Sequence, residues 1–316
     1  MNWRLKARLL STAATLPDGL SSAVLLLLQR IANRQKRGTG GALWLRAAAR
    51  TLRAIPEDRL PFEGKTFMEI GTGRGLILSV ALWLCGAKRV VSIDLRRYLT
   101  FGRFRDDLDH LRTHPDILTD ALGEFAKNDL FEERWTRLKQ ALAGSPTLDD
   151  LQQLMDIQYL APADARSLDM PDNTLDFYVS FNVLEYIPEQ VLDAVVEESR
   201  RVLKPDGCHV HCLDCGDYFA VADPASTSIN FLQFSQEEWA RYANNRYAYE
   251  NRLRVDDYAA TFERAGFVPT IAKSIVDPRA LAALQAGFSV HDEFKNKSPE
   301  MLATKSAWLI ARALSS

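Results

Sequence analysis

Apolar residues fall along this chain in two rhythms, and their order predicts an architecture. Residues 66–70 form a short apolar run, and the run 76–84 follows at helical length. Between them three glycines alternate with other residues at Gly71, Gly73 and Gly75, so the order is strand, glycine turn, helix. Arg89-Val-Val-Ser-Ile-Asp94 is continuous and Val/Ile-rich, as strands covered by helices on both faces are. Residues 157–160, 177–181, 208–213 and 266–271 read as further strands, and 306–312 as the last. Helical spacing marks 41–55, where Leu43, Leu45, Ala48, Leu52 and Ile55 form a stripe, and then 190–203 and 255–265.

Residues 95–155 are polar and helical in pattern, over 104–111, 118–126 and 131–142. A β-to-β crossover usually needs one helix, so this stretch reads as an insertion. Residues 1–60 read as helical, with one helix over 21–33. The expectation is an α/β fold, a Rossmann-like and mostly parallel seven-stranded sheet with an antiparallel last strand. Residues 1–60 would be a helical extension acting as lid or packing helices. Residues 61–316 would be one domain carrying insertions at 100–155 and 214–253.

The chain has 316 residues, 47% hydrophobic and 25% charged, proportions that allow a full globular core. Its net charge of −2 gives no support for a general nucleic-acid or membrane surface. Four cysteines in so long a chain do not suggest a disulfide framework, which points to a reducing cytoplasm. Arg4, Lys6 and Arg8 mimic a signal n-region, but residues 11–17 are too polar to continue one. The apolar run 23–28 is too short to span a bilayer.

A strand, a glycine turn and a helix make a nucleotide site, because glycines admit a ligand close to backbone and the helix start offers free N–H groups. The dinucleotide fingerprint starting at Gly71 needs a sixth-position glycine, and Leu76 stands there. The phosphate loop G-x-x-x-x-G-K-[ST] is missing. Asp94 ends the second strand a little over twenty residues beyond Gly71, where such folds place a carboxylate on ribose hydroxyls. Its structural alternative is a helix cap. His110 and His114 have no metal-binding companion and read as surface residues. Strand alternation sends Cys208 and Cys212 to one face and His209 and His211 to the other, so no metal site is expected.

Five motifs then follow in order: Glu69-Ile-Gly-Thr-Gly-Arg-Gly75, Asp94, Asp164-Ala165, Asn182-Val-Leu-Glu185 and Arg201-Val-Leu-Lys-Pro-Asp-Gly207. Together they resemble the class I S-adenosylmethionine-dependent methyltransferases, particularly methyltransferase type 11. The resemblance covers roughly residues 64–213 and a closing β-α-β segment. It implies S-adenosylmethionine as cofactor and S-adenosylhomocysteine as product. Gly71, Thr72, Gly73 and Gly75 would let backbone pass against the methionine part, with Glu69 facing its amino group. Asp94 would accept from both ribose hydroxyls, and Leu95 would lie on the adenine face. Asp164 would accept from the adenine amino group, with Ala165 offering a backbone donor. Asn182 and Val183 would line the methionine end. Arg74 departs from the small residues common there, and would either reach the cofactor carboxylate or lie on the surface.

The segment after the fifth strand resembles a bacterial subgroup patterned His-x-x-Asp-x-x-Asp-His, then Asn-Phe-Leu and Asn-Arg-Leu-Arg. Here it reads His211, Asp214, Asp217 and Tyr218, with Tyr218 replacing the last histidine, then Asn230-Phe-Leu and Asn251-Arg-Leu-Arg. These four are the candidate catalytic or acceptor-orienting residues, with loop bracing as the structural alternative. Tyr218, Phe219, Phe231, Phe234 and Trp239 are candidates to cover an apolar or aromatic acceptor. The implied activity is methyl transfer to an oxygen or nitrogen of a small biosynthetic acceptor. A nucleic-acid methyltransferase is disfavoured by the absence of Asn/Asp-Pro-Pro-Tyr/Phe and Pro-Cys signatures. A non-catalytic cofactor-binding or assembly protein, and a reaction without methyl transfer, stay open.

Overall fold

The computed structural model describes residues 2–17, 39–220, 223, 225–245 and 247–313. The helix expected over 21–33 and the apolar run 23–28 lie outside the described residues. The strands are β1 (Thr66–Ile70), β2 (Arg89–Ile93), β3 (Ile157–Leu160), β4 (Leu175–Phe181), β5 (Leu203–Asp214), β6 (Asn244–Asn245), β7 (Ala248–Tyr249), β8 (Phe267–Val276) and β9 (Thr304–Ala313). Seven form one sheet in the order β3-β2-β1-β4-β5-β9-β8, while β6 and β7 make a small separate ribbon. Strands β1 to β5 pair in parallel, and β9 runs antiparallel to both β5 and β8. The sequence therefore runs outward from β1 to β3, then returns to β4 on the other side of β1. That reversal opens a crevice at the C-terminal ends of β1 and β4, where open α/β sheets bind ligands.

Two apolar layers flank the sheet. On one face Phe67, Val90, Ile157 and Phe177 meet the helices Thr39–Ala54 and Ile77–Leu84 and the insertion. Phe67 and Phe177, direct neighbours across β1 and β4, stack with centroids 4.5 Å apart. On the other face Met68, Tyr178 and Leu213 meet the helices Glu189–Val202 and Val255–Arg264. The insertion has four helices rather than three: Phe101–Thr113, Pro115–Leu122, Asp129–Ala143 and Leu148–Met155. The fourth is short and starts at a capping box, in which Thr147 and Asp150 satisfy each other's backbone amides.

One expectation needs correction. Leu43 is 56% exposed, so the stripe of helix Thr39–Ala54 is Leu45, Ala48, Leu52 and Ile55, joined by Ala49. Arg53 of the same helix is exposed and donates to the Ala121 carbonyl at 2.6 Å, which ties this helix to the insertion. The polar stretch 277–300 folds into the helices Pro278–Gln285 and Pro299–Ala303, capped by the Asp277 and Ser298 side chains. Capping explains why so polar a passage is ordered.

A third apolar cluster stands beyond the sheet. Helix Trp3–Thr15 buries Trp3, Ala7 and Leu10 against Phe219, Phe231 and Trp239. The Trp3 amide donates to Asp223 at 3.0 Å. Among the described residues no helix is long and apolar enough to cross a membrane.

Candidate functional site

The glycine turn is fixed by backbone geometry. Gly71 and Gly73 have φ of +78° and +64°, a region costly to any residue with a Cβ. The amides of Gly71 and Thr72 both donate to the Ile93 carbonyl, at 2.9 and 3.3 Å, which bends the chain over the end of β2. A Cβ on Gly71 would stand 2.4 Å from Cγ2 of Val183. The turn that leaves β1 is thus packed onto the turn that leaves β4.

Asp94 closes the turn from the other side. Its Oδ2 accepts from the Gly73 amide at 2.9 Å and its Oδ1 from the Arg96 amide at 3.0 Å. Burial pushes this carboxyl up, opposed by those two amides. The Asp94 carbonyl accepts from the Ala163 amide at 2.9 Å, which draws the loop carrying Asp164 and Ala165 beside it. Leu95 is 68% exposed at the strand end. Leu160 and Tyr98 are exposed apolar residues of the same region, and the sequence reading had not named them. Asp164 is held by Arg166 through several contacts, the shortest 2.6 Å, which keep its carboxyl below the usual range.

Glu69 lies inside the sheet's end. It accepts from the hydroxyls of Ser79 and Ser92, and Ser92 also lies 2.7 Å from the Thr72 hydroxyl. Burial pushes the Glu69 carboxyl up to about 7, against the pull of the two serines. A native carboxyl with a raised pKa keeps a proton that the unfolded chain releases. Stability from this group is therefore lost as pH rises from about 4.5 to about 7, by ~3 kcal/mol in all. Glu69→Gln should accordingly gain stability relative to wild type between about pH 5 and about pH 8, read by urea unfolding. Parallel pH curves for the two proteins would contradict this.

The β4 end supplies a second strained residue. Asn182 has φ of +54°, and its buried Oδ1 has no hydrogen-bond partner. Its amide donates to the Cys212 carbonyl at 3.0 Å, so the unusual backbone is pinned. Strain together with an unmet acceptor is the signature of a residue placed for a ligand. Gly71, Gly73, Asp94, Asn182 and Val183 converge at the crevice between β1 and β4.

The four residues expected on the acceptor side separate into two groups. His211 is buried and belongs to a relay across the sheet, with Ser180 Oγ to His211 Nδ1 at 2.7 Å, His211 Nε2 to His209 Nδ1 at 3.0 Å, and His209 Nε2 to Ser199 Oγ at 2.9 Å. Ser199 donates to the Val196 carbonyl, so it accepts from His209, which assigns the proton to Nε2 in both imidazoles. Both rings meet Phe262, and burial takes His211 down to about 3. A neutral ring with both nitrogens used does not suit a proton acceptor at a ligand. His211 is corrected to a core residue that positions the end of β5.

Asp214, Asp217 and Tyr218 are brought together in the loop after β5. Asp214 Oδ1 accepts from the Gly216 amide at 2.9 Å. Asp217 braces the loop, accepting from the amide of Phe219 at 2.7 Å and from Asn230 Nδ2 at 3.0 Å, while burial pushes its carboxyl up to about 6. The Tyr218 amide donates to Glu250 at 2.9 Å, and its ring lies 3.6 Å from Lys6 Nζ. Phe219, Phe231 and Trp239 are fully buried against one another and Trp3, so packing rather than acceptor cover explains them.

Sequence reading missed Ser79 and Ser92, although a serine inside the apolar strand Val90-Val-Ser-Ile93 is a signal of a buried polar partner. Nor does the sequence assign a site role to Glu185, Glu250 or Lys6, which close on this loop. Among the described residues no group of three or more His, Cys, Asp or Glu is spaced to hold a metal ion. A cavity of about 450 Å³ between helix Trp3–Thr15 and helix Gln236–Ala243 is lined by Ser11, Thr15, Arg241 and Asn244. It is remote from the β1/β4 crevice and holds no group suited to catalysis.

The family model of methyltransferase type 11, described as a methyltransferase domain, matches residues 116–211. The sequence matches no curated protein. Among solved structures, the methyltransferase in complex with the Haloferax volcanii Trm112 activator is similar at 16% identity and TM-score 0.44, over 85% of this chain and 88% of that one. Geranyl diphosphate C-methyltransferase from Streptomyces coelicolor A3(2) is similar at 13% and 0.45, over 84% and 79%. An S-adenosylmethionine-dependent methyltransferase from Mesorhizobium loti is similar at 16% and 0.40, over 84% and 97%. The matched methyltransferase domain lies within a Rossmann-like, mostly parallel seven-stranded sheet, in the order 3-2-1-4-5 closed by an antiparallel strand.

Proposed function

We propose that this chain is an enzyme that binds S-adenosylmethionine in the β1/β4 crevice and methylates an oxygen or nitrogen of a small acceptor. The observation that carries the reading is the Asp94 carboxylate, locked to the Gly73 amide beside two positive-φ glycines at the point where strand order reverses. The residues fit the cofactor. Gly71 and Gly73 hold the left-handed backbone of the turn, and Asn182, next to the Val183 on which Gly71 packs, has a buried Oδ1 without a partner. Asp94 would accept from ribose hydroxyls and Leu95 would cover an adenine face. Asp164 would yield one oxygen from Arg166 to an adenine amine, beside Ala165. Glu69, behind Thr72, would favour a cationic amino group, and that charge would in turn favour its ionised form.

The cofactor supplies a methyl made electrophilic by its sulfonium. The chain's own share is to hold the acceptor in line, exclude water and accept a proton from a hydroxyl or amine. Asp214, beside the crevice at the end of β5, is the candidate for the last task, and Tyr218 for orienting the acceptor. The acidic net charge supports a small acceptor over a nucleic acid. Four free cysteines support a cytoplasmic setting. The test is incubation of purified protein with methyl-labelled S-adenosylmethionine and fractionated metabolite extract. Label is expected in a low-mass product; label recovered in nucleic acid or protein, or in no product, would contradict the proposal.

A further inference from the structure

Three carboxylates meet at the C-terminal ends of β4 and β5 without enough donors to serve them. Glu185 is 4% exposed, and both its carboxylate oxygens are buried with no hydrogen-bond partner. The amides of Glu185 and Asp214 approach it, but neither makes a bond of acceptable geometry. Glu250 is 6% exposed; its Oε1 takes the Tyr218 amide, and its Oε2 is buried and unpaired. With Asp214, Cys215, Gly216 and Phe231 they line a cavity of about 10 Å³. That is room for one water-sized group.

The cations nearby make no hydrogen bond to the unpaired oxygens: Arg252 lines the cavity with a buried, unpaired Nε, but gives its terminal nitrogens to the carbonyls of Phe231 and Phe234, to Gln236 and to Glu293. Arg254 spends its guanidinium on the carbonyls of Cys215, Leu302 and Thr304. Lys6 acts on Asp217 and Glu250 by charge, but its Nζ donates to the Tyr218 carbonyl at 3.2 Å. Lys305 acts on Asp214 by charge, without a hydrogen bond to it among the described contacts. Burying unpaired acceptors costs several kcal/mol unless something donates to them. A water offers two donors, whereas an alkylammonium offers three and a positive charge. The absence of a metal-spaced group among the described residues sets a divalent ion aside.

We infer that the acceptor carries an amine, and that its ammonium group is held in this cavity by Glu185 and Glu250. This rests on the methyl-donor reading above for its place in the reaction. Glu185 stands two residues beyond Val183 on the turn that leaves β4, so the anchored amine would place the rest of the acceptor beside the crevice. Burial pushes the Glu185 and Glu250 carboxyls well up, helped by the charge of Asp214 on Glu185 and of Asp217 and Asp214 on Glu250, and a bound cation would lower both.

The test is calorimetric titration with 1-aminohexane, 1,6-diaminohexane and hexan-1-ol, on the full chain with and without S-adenosylhomocysteine. At least one amine should bind about tenfold more tightly than the alcohol, as charge-assisted bonds to carboxylates require. Glu185→Gln with Glu250→Gln should remove that preference and leave S-adenosylhomocysteine affinity within about twofold of wild type. The wild-type comparison of amine and alcohol stands even where the double variant fails to fold. Amines binding no better than the alcohol, or not at all, overturn the inference. So does a preference that survives both substitutions, or a loss of S-adenosylhomocysteine affinity, which would make the cofactor's own amine the cation. Failure of wild type to bind S-adenosylhomocysteine would instead sink the methyl-donor reading, with the amine titration still decided on its own result.

Discussion

Replacing Asp94 with Ala is expected to lower affinity for S-adenosylmethionine about a hundredfold, ~3 kcal/mol. Hydrogen bonds to a charged group contribute ~1.5–3 kcal/mol each, and the ribose offers two hydroxyls to one carboxylate. The loss has a second source. Asp94 also holds the amides of Gly73 and Arg96, so Ala frees the glycine turn itself. Asp94→Asn keeps one acceptor for the turn and should fall between wild type and Ala. Calorimetry on the three proteins separates the two contributions. An Asp94→Ala protein binding within about threefold of wild type would show that the carboxylate does not face the cofactor.

Gly71→Ala is expected to destabilise the fold by ~2–5 kcal/mol and abolish detectable cofactor binding. A left-handed backbone costs a residue with a Cβ ~1–2 kcal/mol, and φ here is +78°. The new methyl would also stand 2.4 Å from Cγ2 of Val183, an overpacking that costs a further ~1–3 kcal/mol. The two parts are separable, because Val183→Ala in the same chain relieves only the clash. The double variant should recover part of the stability, and the coupling energy measures the contact between the two turns. Wild-type melting and binding for Gly71→Ala would contradict the geometry of the crevice.

The parts of the site that could be read from sequence are those fixed by local chemistry. Gly71, Gly73 and Asp94 are each demanded by a strand end and a turn, and their spacing survives in the linear chain. The strands were legible for the same reason, since Val90, Val91 and Ile93 are buried on both faces and leave an unbroken apolar run. What escaped depends on contacts across long separations. His211 reads as a reactive residue in a motif, yet Ser180 and His209 consume it inside the sheet. Glu185 and Glu250 stand 65 positions apart and meet only because β4 and the loop beyond β7 end side by side. Trp3 and Trp239 likewise join one aromatic cluster from opposite ends of the chain, which no periodicity announces. Leu43 shows the opposite failure: it fits the helical stripe by spacing, but the neighbouring helices leave that turn uncovered.

Titration of the wild-type chain with S-adenosylmethionine tests the central claim most directly. One site per chain is expected, with a dissociation constant on the order of micromolar and displacement by S-adenosylhomocysteine. No binding at about millimolar cofactor by a protein that melts cooperatively would contradict the account.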